Sequence, residues 1–173
     1  MTPAPGSFAR GGTFGRAAVL LNNGGTIAFD ATVKGTTAAS GLFEYVSGVL
    51  KPLVLAGQLA PETGGGRFSR FLGLAMNQTG QIAFVATISG AAAGNGVFLL
   101  INQTLSAVAL EGRAAPYPGG GSFEVLRDPS INDLGDVTFL DSTKSGGRFG
   151  SPSLTKGVFL YSSGAISLAS ARN

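Results

Sequence analysis

The chain contains no cysteine, no histidine and no tryptophan. Without thiols and imidazoles it can form no disulfide, no cysteine nucleophile, no Cys/His zinc centre and no His-based catalytic triad. The missing cysteine leaves the compartment open, since cytosolic proteins and cysteine-free exported ones share this composition. Charge is scarce as well, at 12% of residues against a usual level of about 25%. The 12 Lys and Arg outnumber 9 Asp and Glu for a formal charge of +3, but they are scattered singly. Phosphate backbones are bound by clustered cations, so nucleic acid is not an expected partner. No apolar run approaches the roughly 18 residues of a membrane helix. Met1-Thr2-Pro3-Ala4-Pro5-Gly6 has no basic region leading into an apolar one, so the signal of an exported protein would lie outside these residues.

What the chain has in excess is glycine, at 28 of 173 residues, more than twice the usual share of about 7%. Much of it is periodic. Asn22-Asn23-Gly24-Gly25-Thr26-Ile27-Ala28-Phe29, Asn77-Gln78-Thr79-Gly80-Gln81-Ile82-Ala83-Phe84 and Asn132-Asp133-Leu134-Gly135-Asp136-Val137-Thr138-Phe139 share the pattern N-x-x-G-x-[IV]-[AT]-F, spaced by 55 residues. Gly-Gly-x-Phe recurs at Phe14, Phe68 and Phe123, and Gly-x-Phe at Phe43, Phe98 and Phe159, where the third copy is six residues late. That insertion falls within residues 144–155. Ala60-Pro61 and Ala115-Pro116 keep the period, with Ala4-Pro5 as a looser first copy. Three repeat units follow, over approximately 4–58, 59–113 and 114–173, in a single repeat domain.

Each unit reads as four short strands divided by turn chemistry. In the second copy, residues 68–76 form the first, and Asn77-Gln78-Thr79-Gly80 has the Asn and Gly that a type I hairpin turn favours. Residues 81–89 alternate apolar and polar at Ile82, Phe84, Ala86 and Ile88, the period of a strand with one buried face. Residues 96–101 and 104–110 complete the unit around the tight turn Asn102-Gln103. With no helical period, the expected fold is all-β: three four-stranded antiparallel repeats arranged as β-propeller-like blades, with a β-trefoil or β-prism as the alternative. Closed propellers use about four to eight blades, so three units would need a partner or a parent chain to close. A three-fold fold closes alone, but the long repeat and the absent tryptophan argue against a trefoil.

The pattern N-x-x-G-x-[IV]-A-F, followed by Gly-[LV]-Phe, Gly-x-x-Ala-Pro and Gly-Gly-x-Phe, resembles the tandem repeats of bacterial extracytoplasmic proteins with a propeller-like fold. The resemblance spans almost the whole chain and implies export and repeat architecture; it brings no catalytic residue. Asp133-Leu134-Gly135-Asp136-Val137-Thr138-Phe139 is also similar to the Asp-box turn of sialidase-type propellers, with a spacing one residue longer.

Paired carboxylates can hydrolyse glycosides without histidine, and Asp128, Asp133, Asp136 and Asp141 gather in the third copy. Asp141 aligns with Ala31 and Ala86, on the core side of its strand. A carboxylate there needs a partner such as Lys144 or Arg148, or a cavity to line. The Asp128–Asp136 group lacks the dense alternating ligands of a calcium loop. Arg16 and Arg70 follow the repeat phenylalanines and read as a polar strand edge. The phenylalanines themselves recur in every unit and belong to the core. Function is expected where the copies differ. The candidate ligand or partner contacts are therefore Asp141, Lys144, Arg148, Phe149, Arg127 and Asp128, with the 144–155 insertion as an interaction loop; no catalytic residue, metal or cofactor is expected. The expected function is a non-catalytic binding or assembly module on a rigid β scaffold, extracytoplasmic and bacterial, engaging a protein partner, itself or a glycan. An accessory structural subunit and a carboxylate-dependent glycoside hydrolase are the alternatives.

Overall fold

Twelve strands form among the described residues, which in this computed structural model are 18–33, 40–118, 120–145 and 153–172, the side chains of 143–145, 153–155 and 172 excepted. Strands β1 (Val19–Leu21), β2 (Ile27–Thr32), β3 (Ser40–Val46) and β4 (Val49–Leu55) make the first sheet. The second holds β5 (Arg67–Met76), β6 (Ile82–Ser89), β7 (Asn95–Ile101) and β8 (Thr104–Leu110). The third holds β9 (Arg127–Ile131), β10 (Val137–Ser145), β11 (Ser153–Ser162) and β12 (Ala165–Arg172). Within each sheet the strands pair antiparallel in chain order, and among the described residues no sheet closes on itself. No helix of these residues is long and apolar enough to cross a membrane.

Turn chemistry explains the meander. Each repeat asparagine donates its backbone N–H to the carbonyl four residues on, at 3.1 Å, from Asn22 to Thr26, Asn77 to Gln81 and Asn132 to Asp136. The N–H groups of Gly25, Gly80 and Gly135 return to the asparagine carbonyls with φ of 79°, 81° and 85°, a conformation glycine adopts without steric cost. The last hairpin of each unit turns on Ser47-Gly48, Asn102-Gln103 and Ser163-Gly164, where both residues have positive φ. This is the type I′ turn whose twist suits a two-residue hairpin.

The Gly-x-Phe motif also has a packing cause. A Cβ on Gly96 would lie 2.7 Å from Leu110 and 3.0 Å from the Phe98 ring, and Gly41 and Gly157 are hemmed in by Phe43 and Phe159 in the same way. The glycine leaves the space that the phenylalanine two residues on fills.

Alternation divides the second sheet into two unlike faces. Ile82, Phe84, Ala86, Ile88, Phe98 and Leu100 join Ala28, Leu42 and Val54 of the first sheet in one core. Ala83, Val85, Val97 and Leu99 join Val137, Phe139 and Phe159 of the third, with Phe123 from the segment before it, in another. The aromatic face of each later sheet thus rests on the small aliphatic face of the sheet before it. Phe68 sits edge-on to Phe98 at 4.8 Å, and Phe123 edge-on to Phe159 at 5.1 Å. Burying each ring contributes roughly 1.5–3 kcal/mol. The stretches between sheets repeat as well. Gly57 donates to Phe68 and Gly112 to Phe123, both at 2.8 Å, and Leu59 bridges Arg67 as Ala114 bridges Ser122.

The third unit departs from the pattern in two places. Residues 123–126, aligned with the start of β5, are not strand, and β9 begins only at Arg127. Pro129 has no N–H to place opposite Phe139, and Asp128 turns to a φ of 51°, so the ladder slips by one between Thr138 and Leu140. The insertion expected as a loop begins instead as paired strand: β10 and β11 stay in register to Lys144↔Leu154 and Ser145↔Ser153.

Candidate functional site

An asparagine side chain carries one acceptor oxygen and two N–H donors, and this protein uses both sides to join its units. The Oδ1 of Asn77 accepts the backbone N–H groups of Thr79 and Gln81, at 3.1 and 2.9 Å, holding its own turn. Its Nδ2 donates to Gln81 Oε1 and, across the sheet boundary, to the Asn132 carbonyl, both at 2.9 Å. Asn22 repeats this, accepting from Thr26 N–H at 3.0 Å and donating to the Gln78 carbonyl of the next unit at 3.3 Å. The following residue adds a second link. Asn23 N–H donates to Gln78 Oε1, and Gln78 N–H to Asp133 Oδ1, both at 2.8 Å. At the opposite sheet end, Ser40 Oγ donates to the Ser69 carbonyl at 3.3 Å and Asn95 Nδ2 to the Glu124 carbonyl at 3.2 Å. Each of these links joins one unit to the next.

The two ends of the stack present the halves of this seam. Asn77 is only 3% exposed, whereas Asn132 is exposed. Asn132 keeps the bonds within its turn, with Oδ1 accepting from Leu134 and Asp136 and Nδ2 donating to Asp136 at 2.9 Å. A hydrogen bond from Ser162, together with this one from Asn132, holds the Asp136 carboxyl below its ordinary value. On the outward side of the third sheet, Thr138, Leu140, Val158 and Leu160 occupy the positions of Ala83, Val85, Val97 and Leu99, half-buried where those are buried. On the outward side of the first sheet, Val19 and Leu21, which align with Leu74 and Met76, are 63% and 70% exposed, and Tyr45 is exposed beside them.

The residues singled out by sequence fare differently. Asp141 is 1% exposed, and its Oδ1 accepts the N–H groups of Glu124 at 3.0 Å and Val125 at 2.9 Å. It therefore holds the segment that elsewhere enters the sheet; in the second unit the corresponding Arg70 N–H goes to Thr87 Oγ1 at 3.1 Å. Asp141 and Arg127 do meet at one concavity of about 160 Å³, walled also by Leu140, Lys156 and Val158. Arg127 Nη2 donates to Ser142 Oγ at 3.4 Å. Asp128 is exposed on its left-handed bend. Lys144 lies in β10 with its side chain outside the described part; Arg148 and Phe149, like Phe14 and Arg16, lie outside the described residues. Among the described residues no group of three or more acids is placed to hold a metal ion.

Sequence reasoning took the repeat asparagines for hairpin residues alone and missed their reach into the next unit. A signal was present: Ser or Asp caps such a turn as well, but only Asn keeps N–H donors to spare.

These features define an all-β repeat protein of three stacked four-stranded sheets. The chain belongs to the family of unknown function DUF7453, whose profile matches residues 2–168. No curated protein and no solved structure matches it.

Proposed function

We propose that this protein is a non-catalytic assembly or binding module whose sheets are blades of a propeller-like array, working outside the cytoplasm as the resemblance of its repeats implies. The observation that carries the reading is the pair of unlike end faces, each equivalent to one half of an interface already made twice inside the chain. Exposed apolar side chains gathered on one face, as Val19, Leu21 and Tyr45 are, mark interaction sites. The acid most suited by position to chemistry, Asp141, has its carboxylate oxygen engaged by two backbone N–H groups. Turnover of a panel of aryl glycosides and polysaccharides tests the non-catalytic half: neither the wild-type chain nor Asp141→Asn should release sugar. Hydrolysis by the wild type that the variant loses would overturn the reading in favour of a hydrolase.

The concavity flanked by Arg127 and Lys156 favours an acidic glycan as a second ligand. Retardation in gels containing a uronic-acid polysaccharide should then fall in the Arg127→Ala, Lys156→Ala double variant.

A further inference from the structure

We infer that the partner of the third unit is the first unit of a second copy of this chain, docked head to tail so that the internal seam is made once more between molecules. The inference rests on the assembly reading above and names its partner.

Three observations converge on this occupant. First, the faces match by kind. Inside the chain an aromatic face always rests on a small aliphatic one; the first unit offers an aromatic-type face with Val19, Leu21 and Tyr45 exposed, and the third offers Thr138, Leu140, Val158 and Leu160. Second, the polar links match by direction. Nδ2 donors point from each unit to the turn carbonyls of the next. Asn132 keeps the bond to Asp136 that Asn77 makes to Gln81, and its second amide proton corresponds to the one Asn77 sends forward. In a second copy that proton meets the Asn22-Asn23 turn. Third, the side chain that receives the next link is present. Gln78 Oε1 and Asp133 Oδ1 each accept the N–H of the preceding unit, and Asn23, exposed at the corresponding place in the first unit, carries the amide oxygen to accept Asp133 N–H. A two-fold symmetric contact between like faces would satisfy none of these. A heterologous contact closes into a ring or grows as a filament according to its rotation.

The test is solution mass by light scattering over a dilution series of the whole chain, with variants confirmed as folded by circular dichroism and urea midpoint. The wild type is expected at twice 17.3 kDa or above. Leu21→Arg and Leu140→Arg each place a charge in the seam from opposite sides and should each reduce the mass to that of one chain; Thr138→Arg serves in place of Leu140→Arg if that variant unfolds. Mixing the two single variants should restore a two-chain species, because each retains the face the other has lost. Asn23→Ala should weaken association by roughly five- to tenfold, the worth of one hydrogen bond, with the urea midpoint unchanged. A chain that stays at one mass throughout overturns the inference and leaves the assembly reading to a different partner. An oligomer indifferent to both arginines, or one that mixing does not restore, overturns it as well. Glycoside turnover, by contrast, would remove the assembly reading itself.

Discussion

Asn77 and Asn132 hold the same position in the repeat, yet their amides do unequal work. The Asn77 side chain caps its turn and crosses to the next unit, while that of Asn132 bonds only within its own turn among the described residues. Removing a buried group that leaves several partners unsatisfied costs about 1–3 kcal/mol per partner, against about 1 kcal/mol for a lost exposed cap. Asn77→Ala should therefore lower the urea midpoint distinctly more than Asn132→Ala, measured on dilute chain so that association does not contribute. Asp136 provides a pH test at the same scale. Hydrogen bonds from Ser162 and Asn132 favour its ionised form, so its folded carboxyl titrates below the ordinary 3.8. Its stabilising contribution is complete above that value and is lost as acid carries the pH down through the folded value. Stability measured between pH 2 and 5 should fall less steeply in Asp136→Asn than in the wild type.

At the scale of the element, glycines set the packing as much as the turns. Gly96→Ala would drive a methyl group against Leu110, the Ala109 carbonyl and Phe98, and overpacking of this kind costs about 1–3 kcal/mol. Thermal unfolding should show the loss, and the matching Gly41→Ala should repeat it. The strands of the second unit were legible in the sequence because Ile82, Phe84, Ala86 and Ile88 alternate cleanly and Gly-rich turns bound them. Residues 123–126 were not, because what withdraws them from the ladder is the pair of long-range bonds that Glu124 and Val125 N–H donate to Asp141, together with Pro129 and the bend at Asp128. The same holds for the candidate site. Alignment placed Asp141 on an interior face, but the partners it meets among the described residues include backbone amides sixteen and seventeen positions away, which no side-chain pattern announces. The continuation of β10 and β11 into the insertion was likewise hidden by a segment rich in Ser and Gly, whose local preferences are those of loops.

For the whole molecule, the sheets differ in cover. The second is packed on both faces, with Ala83, Phe84, Ala86, Val97 and Phe98 excluded from water, whereas among the described residues the outward faces of the first and third keep Val19, Leu21 and Tyr45 exposed and Thr138, Leu140, Val158 and Leu160 only half-buried. In arrays of this kind stability is close to a sum of unit terms and nearest-neighbour interfaces. Amide hydrogen exchange on dilute chain should accordingly be slowest in β6 and β7 and faster in β2, β3, β10 and β11. Equal protection in all three sheets would contradict this account.

The forward direction of the seam has one more consequence, for how such a chain can lengthen. Because the same directional seam is made at both internal boundaries, a copy of residues 59–113 inserted in place would meet its neighbours through faces of the kinds already paired there. The new copy would receive the Asn77 amide on one side and offer its own to Asn132 on the other. Growth by copying is thus open to this architecture at any internal boundary, and the near-constant 55-residue spacing of its turns is what a history of such copying would leave behind.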